Sequence, residues 1–250
     1  MATIYYYVDE SFRKDKDGEY WHCNIGGALL ENGRVVDAEI AMEETIYRLA
    51  ISEGFPYAQG EFKYSDFFRD TSDEFKFKIS AELTRVLAER GVRFLVSHAK
   101  IHNRHMKSLG PPFGTPSKAI QQLSYVKINN YLAAPAATHV VQMIVDLGIS
   151  ESFRPIYDMY ASNLKSIPML KARGITDAQI TISNYRNLPM PVFLVSGDSR
   201  LLQFSDFLIG LLLCREVGAL TPFKLKLLEQ VGAIMKNVEV VSVEWNKDAA

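Results

Sequence analysis

Cysteine is scarce in this chain of 250 residues: Cys23 and Cys214 are the only two, far apart and each in apolar surroundings. They provide no disulfide framework, nothing supports a bridge between them, and both are expected to be reduced packing residues. Long apolar runs are missing too. The most apolar stretch, Phe207 to Cys214 (FLIGLLLC), falls far short of the roughly 20 residues that cross a bilayer, so no membrane span is expected. The opening MATIYYYV has no basic n-region and no cleavage site, which predicts no secretory signal and a cytoplasmic location. An excess of charge of one sign is also lacking. With 28 Lys and Arg against 29 Asp and Glu the formal net charge is -1, so the molecule as a whole does not attract phosphate. That argues against a protein that coats DNA, and any nucleic-acid surface must be a local patch. No repeat, low-complexity tract or linker divides the sequence. A single domain over residues 1–250 is expected, with the last helix and strand as a C-terminal extension.

What is present suits a globular α/β protein. The 48% hydrophobic fraction beside 23% charged residues is enough for a large core and speaks against disorder. Ile4 to Val8 is a β-branched and aromatic run without alternation, expected as a central strand that ends on Asp9 and Glu10. Tyr20 to Leu30 is a second strand, where Gly26 and Gly27 allow a bulge or a close backbone approach. The ENG turn then leads to a short third strand over Arg34 to Val36. Asp37 is expected to cap a helix carrying Met42, Ile46 and Leu49. Ser72 caps the next helix, whose inner stripe is Ile79, Leu83, Val86 and Leu87, and Gly91 ends it. Val92 to Val96 and His139 to Val145 read as strands. Thr115 and Pro116 open a helix reaching about Ala133, and a helical stretch over Ser152 to Leu164 and a short strand near Gln179 to Ser183 follow. The chain closes with an apolar helix from Leu201 to Val217, a helix after Pro222 and a strand near Val238 to Val243.

Acids at the ends of these elements carry the functional reading. Asp9 follows the first strand and Asp146 follows the strand from His139. In DSRLLQFSDFLIGLLLC, the residues Ser199, Gln203, Asp206 and Gly210 fall on one face of a helix that is otherwise Leu, Phe and Ile. A lone carboxylate there needs a partner if buried; the alternatives are a solvent-facing stripe or an ion pair with a lysine elsewhere. In GEFKYSD, Glu61 and Lys63 share a face of an extended segment, either to join an acidic cluster or as a loop ion pair. Four carboxylates at one place repel each other unless a cation neutralises them, and hard divalent ions such as Mg2+ or Mn2+ prefer such oxygen ligands. Two ions about 3.5–4 Å apart would activate water and stabilise the leaving oxygen of a phosphodiester.

YYVDES, GEFKYSD, VDLG and SRLLQFSDFLIG together resemble the DUF3800 family, which is similar to the ribonuclease H-like, retroviral-integrase-type superfamily. The resemblance runs from about Tyr5 to Gly210 and is carried best by the late Leu-Gln-x-x-Asp-x-x-x-Gly segment in combination with the early Asp-Glu-Ser. It implies an RNase H-like mixed β-sheet flanked by helices on both faces, with a metal site at its carboxylate-bearing edge. By motif, Asp9, Glu61, Asp146 and Asp206 would be the catalytic and metal-ligating acids. Glu10, Ser11, Lys63, Ser199 and Gln203 would be their substrate-binding or supporting neighbours. Phe12 departs from the glycine that the family usually has after Asp-Glu-Ser.

Other signals carry less. His98, His102 and His105 would share a helical face and could bind zinc, but no acid or cysteine completes the set. As an exposed loop, with Lys100, Arg104 and Lys107, they form the best candidate for phosphate contact. Gly110 to Lys118 lacks the spacing of a phosphate loop, and SGDSR lacks that of a nucleophile elbow. The expected function is a Mg2+- or Mn2+-dependent nuclease with two ions, acting on DNA or RNA. The alternatives are a catalytically silent RNase H-like binding module in a phage-defence or mobile-element system, and a metal-dependent phosphatase of small esters.

Overall fold

A computed structural model describes residues 2–53, 72–106, 132, 136, 138–149, 191–234 and 238–245. Its centre is a six-stranded mixed sheet built from β1 (Thr3–Lys14), β2 (Tyr20–Glu31), β3 (Arg93–His102), β4 (Val140–Asp146), β5 (Val192–Leu194) and β6 (Val238–Trp245). The strands lie in the order β5-β4-β1-β2-β3-β6. β1 and β2 are antiparallel across a short connection, and β3 returns antiparallel to β2 after α1 and α2, whereas β4 runs parallel to β1, β5 to β4 and β6 to β3. The helices are α1 (Asn32–Glu53), α2 (Asp73–Glu89), the short α3 (Asn103–Met106), α4 (Arg200–Glu216) and α5 (Pro222–Ile234).

Strand alternation splits the core in two. On one face Tyr7, Ala28, Leu30, Phe94, Val96 and Ile144 meet the inner residues of α1, α2, α4 and α5. On the other, Tyr6, Val8, Cys23, Ile25, Leu95, Ala99 and Val145 pack together with Leu132 and Ala136, which are both helical. The long helices described thus belong to one face. Tyr6 and Tyr7 are core residues, and the Tyr6 hydroxyl donates to Leu95 O at 3.0 Å. Cys23 and Cys214 are free and buried. Among the described residues no helix is long and apolar enough to cross a membrane.

Several local expectations hold. The Ser72 side chain accepts the Phe75 N–H, Asp73 and Glu74 occupy the first turn of α2, and its inner stripe is buried. Gly91, at φ +67°, lies just beyond its end. Others are corrected. β1 does not stop at Asp9; it stays paired with β2 as far as Lys14. Arg34 to Val36 is no strand, because α1 begins at Asn32 directly after β2, and Asp37 lies inside the helix with its carboxylate 3.1 Å from the Arg90 guanidinium. Burial of Ala38, Met42, Ile46 and Leu49 in the core shared with α2, α4 and the sheet anchors a helix whose period runs back through the expected turn. The expected helix from Thr115 (Leu132 apart), the helical stretch over 152–164, the strand near 179–183 and the GEFKYSD segment lie outside the described residues.

Candidate functional site: three aspartates under helix α4

Asp9 is held in the middle of the sheet. It pairs with Gly26 of β2, and it follows Val8, the last β1 residue in register with β4. Alternation from Tyr5 and Tyr7 turns it toward α4, and alternation from Ile144 does the same for Asp146 at the end of β4. Asp206 descends from α4, where it is half-buried among residues that are nearly all buried.

A notch in the sheet seats α4 at this level. The β1–β2 register lapses between Tyr6↔Leu29 and Asp9↔Gly26. There the Ala28 N–H donates to Ser205 Oγ at 3.1 Å, and that hydroxyl donates to Leu201 O at 2.8 Å. A Cβ on Gly27 would sit 2.1 Å from Tyr7 O and 2.3 Å from Ser205 Oγ, so only glycine admits the helix this closely. The residue after Ser205 is Asp206.

The electrostatics follow from that placement. Burial pushes the Asp9 carboxyl well above the usual carboxylate range, and repulsion from Asp206 raises it further. The Glu10 N–H, donated to Asp9 Oδ1 at 2.7 Å, opposes this, while Asp146 and Glu10 add weaker repulsion. Among the described residues the side-chain charges acting on Asp9 are all negative. Asp146 Oδ1 accepts the Gly148 N–H at 2.6 Å. Oxygen donors with surplus negative charge suit a hard divalent cation. Yet among the described residues no group of three or more His, Cys, Asp or Glu side chains is arranged to hold one. Glu61 and Lys63, expected to contribute, lie outside the described residues.

The remaining expected site residues divide. Ser11 pairs with Asn24 on the Asp9 face, but alternation sends Glu10 to the opposite face with Phe12, away from Asp206. Ser199 and Gln203 share the α4 stripe with Asp206 but have structural partners. Ser199 Oγ caps the helix at Leu202 N and donates to Glu39 Oε1 at 2.6 Å. Gln203 Nε2 donates to Ser196 O, and its Oε1 accepts from Arg200. An open recess of about 470 Å3 lies beside this knot, walled by Glu39, Ile40, Glu43, Asp198 and Arg200; the three aspartates are not among its walls.

The expected basic loop is instead β3 followed by α3. His98 is buried, Lys100 lies over the Tyr20 ring at 4.3 Å, Arg104 is exposed, and Lys107 is outside the described residues. His98 belongs to a polar chain that the sequence reading missed. Its Nδ1 meets Asn24 Oδ1 at 2.7 Å, its Nε2 faces His22 Nδ1 at 3.3 Å, and Asn24 Nδ2 donates to Ile209 O of α4. The signal was there in WHCNIGG, where His22 and Asn24 alternate with apolar residues.

No family model matches the chain, and no curated protein or solved structure proves similar to it. The functional reading therefore rests on the geometry above.

Proposed function

We propose that this protein is a Mg2+- or Mn2+-dependent hydrolase of phosphodiester bonds in nucleic acid, with an RNase H-like domain of the kind the DUF3800 resemblance implies. One observation carries the reading: Asp9 is buried at the centre of the sheet with Asp206 and Asp146 as its charged neighbours. Such crowding of acids is costly without a counter-ion, and proteins retain costly carboxylates chiefly where they act. The strand order β3-β2-β1-β4-β5, antiparallel and then parallel, supports the fold assignment.

Asp9, Asp146 and Asp206, together with Glu61, would hold the metal. When bound, divalent cations supply an activated water and neutralise charge on the phosphate. The protein's own part is orientation. A main-chain N–H fixes one oxygen of Asp9 and one of Asp146, leaving the second oxygen of each for a ligand. The seat of Ser205 sets the height of Asp206. Purified protein with Mg2+ or Mn2+ should cut at least one of labelled single- or double-stranded DNA or RNA. Uncut substrates throughout, or an Asp9→Asn variant as active as the parent, would refute the proposal.

A second reading, a silent binding module of the same fold, is suited equally by the net charge of -1. Calorimetry separates the two: the hydrolase binds Mn2+ in a manner lost with Asp9→Asn and Asp206→Asn, and the silent module does not bind it.

A further inference from the structure

Helix α1 hides one apolar face and displays another. Ala38, Met42, Ile46 and Leu49 are buried in the core, as an amphipathic helix requires. On the outer side Val36, Ile40, Tyr47 and Ile51 are 68%, 52%, 56% and 66% exposed. At about 100° per residue these four fall within an arc of roughly 60°, so they form one stripe rather than scattered surface residues. The recess beside Glu43 is continuous with the stripe through Ile40.

The geometry points to a second copy of this chain as the occupant, with α1 packed antiparallel on its symmetry mate about a two-fold axis between residues 43 and 44. The spacing of the stripe is the first reason. The steps from Val36 to Ile40, Tyr47 and Ile51 read the same in both directions, so a two-fold lays Val36 on Ile51 of the other copy and Ile40 on its Tyr47. Every apolar residue then meets an apolar residue, as self-complementary association demands. Charge is the second reason. Antiparallel pairing brings Asp37 within about a turn of Arg48 of the other copy, twice over, whereas parallel pairing leaves the two about three turns apart along the axis. Within one copy Asp37 pairs with Arg90 and Arg48 with Glu82, so the contact would join two exposed ion pairs into one network. The area is the third. Four side chains more than half exposed offer on the order of 400 Å2 per copy, near the lower bound of a specific interface once flanking residues are added. The dimer is therefore weak and reversible. Glu43 and Glu44 flank the axis and each lies against its own image, a mismatch that Arg200 offsets at Glu43.

Sedimentation of the full chain over roughly 1–200 μM tests this. Concentration-dependent dimerisation is expected. Tyr47→Glu should weaken it about tenfold or more, and Glu44→Gln should tighten it severalfold, with the gain shrinking at high salt. Both positions are exposed, and circular dichroism checks that the variants stay folded. Under mild oxidation Glu44→Cys should cross-link to itself and Val36→Cys should not. A monomer at every concentration, a dimer indifferent to both charge variants, or self-linking of Val36→Cys in place of Glu44→Cys would overturn the proposal. None of these outcomes depends on metal binding or hydrolysis, so the hydrolase reading stands or falls separately.

Discussion

At Asp9 the protein tolerates a carboxyl that its surroundings hold toward the protonated form, through burial first and Asp206 second. Asn keeps the shape and an oxygen for the Glu10 N–H but carries no charge to desolvate. Asp9→Asn is therefore expected to leave metal-free stability unchanged or to raise it by about 1 kcal/mol, while abolishing the stabilisation that Mn2+ gives the parent; urea titrations with and without Mn2+ measure both. His98 shows the opposite sign. Burial, with His22, Arg215 and Lys100 nearby, lowers it from 6.5 to about 4 against the pull of Glu216. Since Asn24 Nδ2 donates to Ile209 O, Asn24 Oδ1 accepts the His98 Nδ1–H, and neutral His98 offers Nε2 to the Nδ1–H of His22. A second proton would set two donors face to face. As pH falls below about 6.5 the unfolded chain takes up this proton before the folded one. The contribution is thus complete above that pH and is lost on the way down to about 4, to the extent of about 3 kcal/mol. Stability curves at pH 4.5 and 7 should show the loss in the parent and a smaller one in His98→Gln, whose amide can still donate to Asn24.

Helix α4 is clasped at two points. Glu39 of α1 accepts from Ser199 Oγ and from the N–H groups of Arg200 and Leu201, capping the helix from another element. Glu39→Ala should cost about 1–2 kcal/mol in urea denaturation. One turn on, Ser205→Ala leaves the buried Ala28 N–H without its acceptor and should cost about 1–3 kcal/mol. Gly27→Ala, whose Cβ has no room, should lift α4 and weaken Mn2+ binding more than Ser205→Ala does, measured by calorimetry on folded protein. These elements also show what could be read from sequence. The caps at Ser72 and Gly91, the inner stripe of α2 and the burial of α4 rest on local chemistry and periodicity, and all were legible. The Gly26–Gly27 pair announced a close approach, though not of what. The start of α1 was hidden because Asn32 and Gly33 look like turn residues; both are exposed, and the helix they open is anchored further on by the buried Ala38, Met42, Ile46 and Leu49. Ser199 and Gln203 lay on the expected face, but their partners Glu39 and Ser196 are tertiary neighbours that no spacing reveals.

For the whole molecule, the two core layers make β1 and β2 the most protected elements, while the three-residue β5 lies at an edge of the sheet. Hydrogen exchange should therefore be slowest for the paired amides of β1 and β2 and much faster in β5. The third strand expected at Arg34 to Val36 is helix and β3 pairs with β2 only after α1 and α2, so of the antiparallel group only β1 with β2 was legible, from their short connection. The parallel placement of β4 beside β1 was not, because that pairing joins distant parts of the chain. It is also what makes Asp9 and Asp146 neighbours. The three aspartates come from the beginning, middle and last third of the sequence, so their mutual repulsion has no counterpart in the extended chain. If helix α4 docks late in folding, a divalent ion acts only behind the barrier: it should slow unfolding and leave the refolding rate almost unchanged, so the chevron of Mn2+-bound protein would shift on its unfolding limb alone.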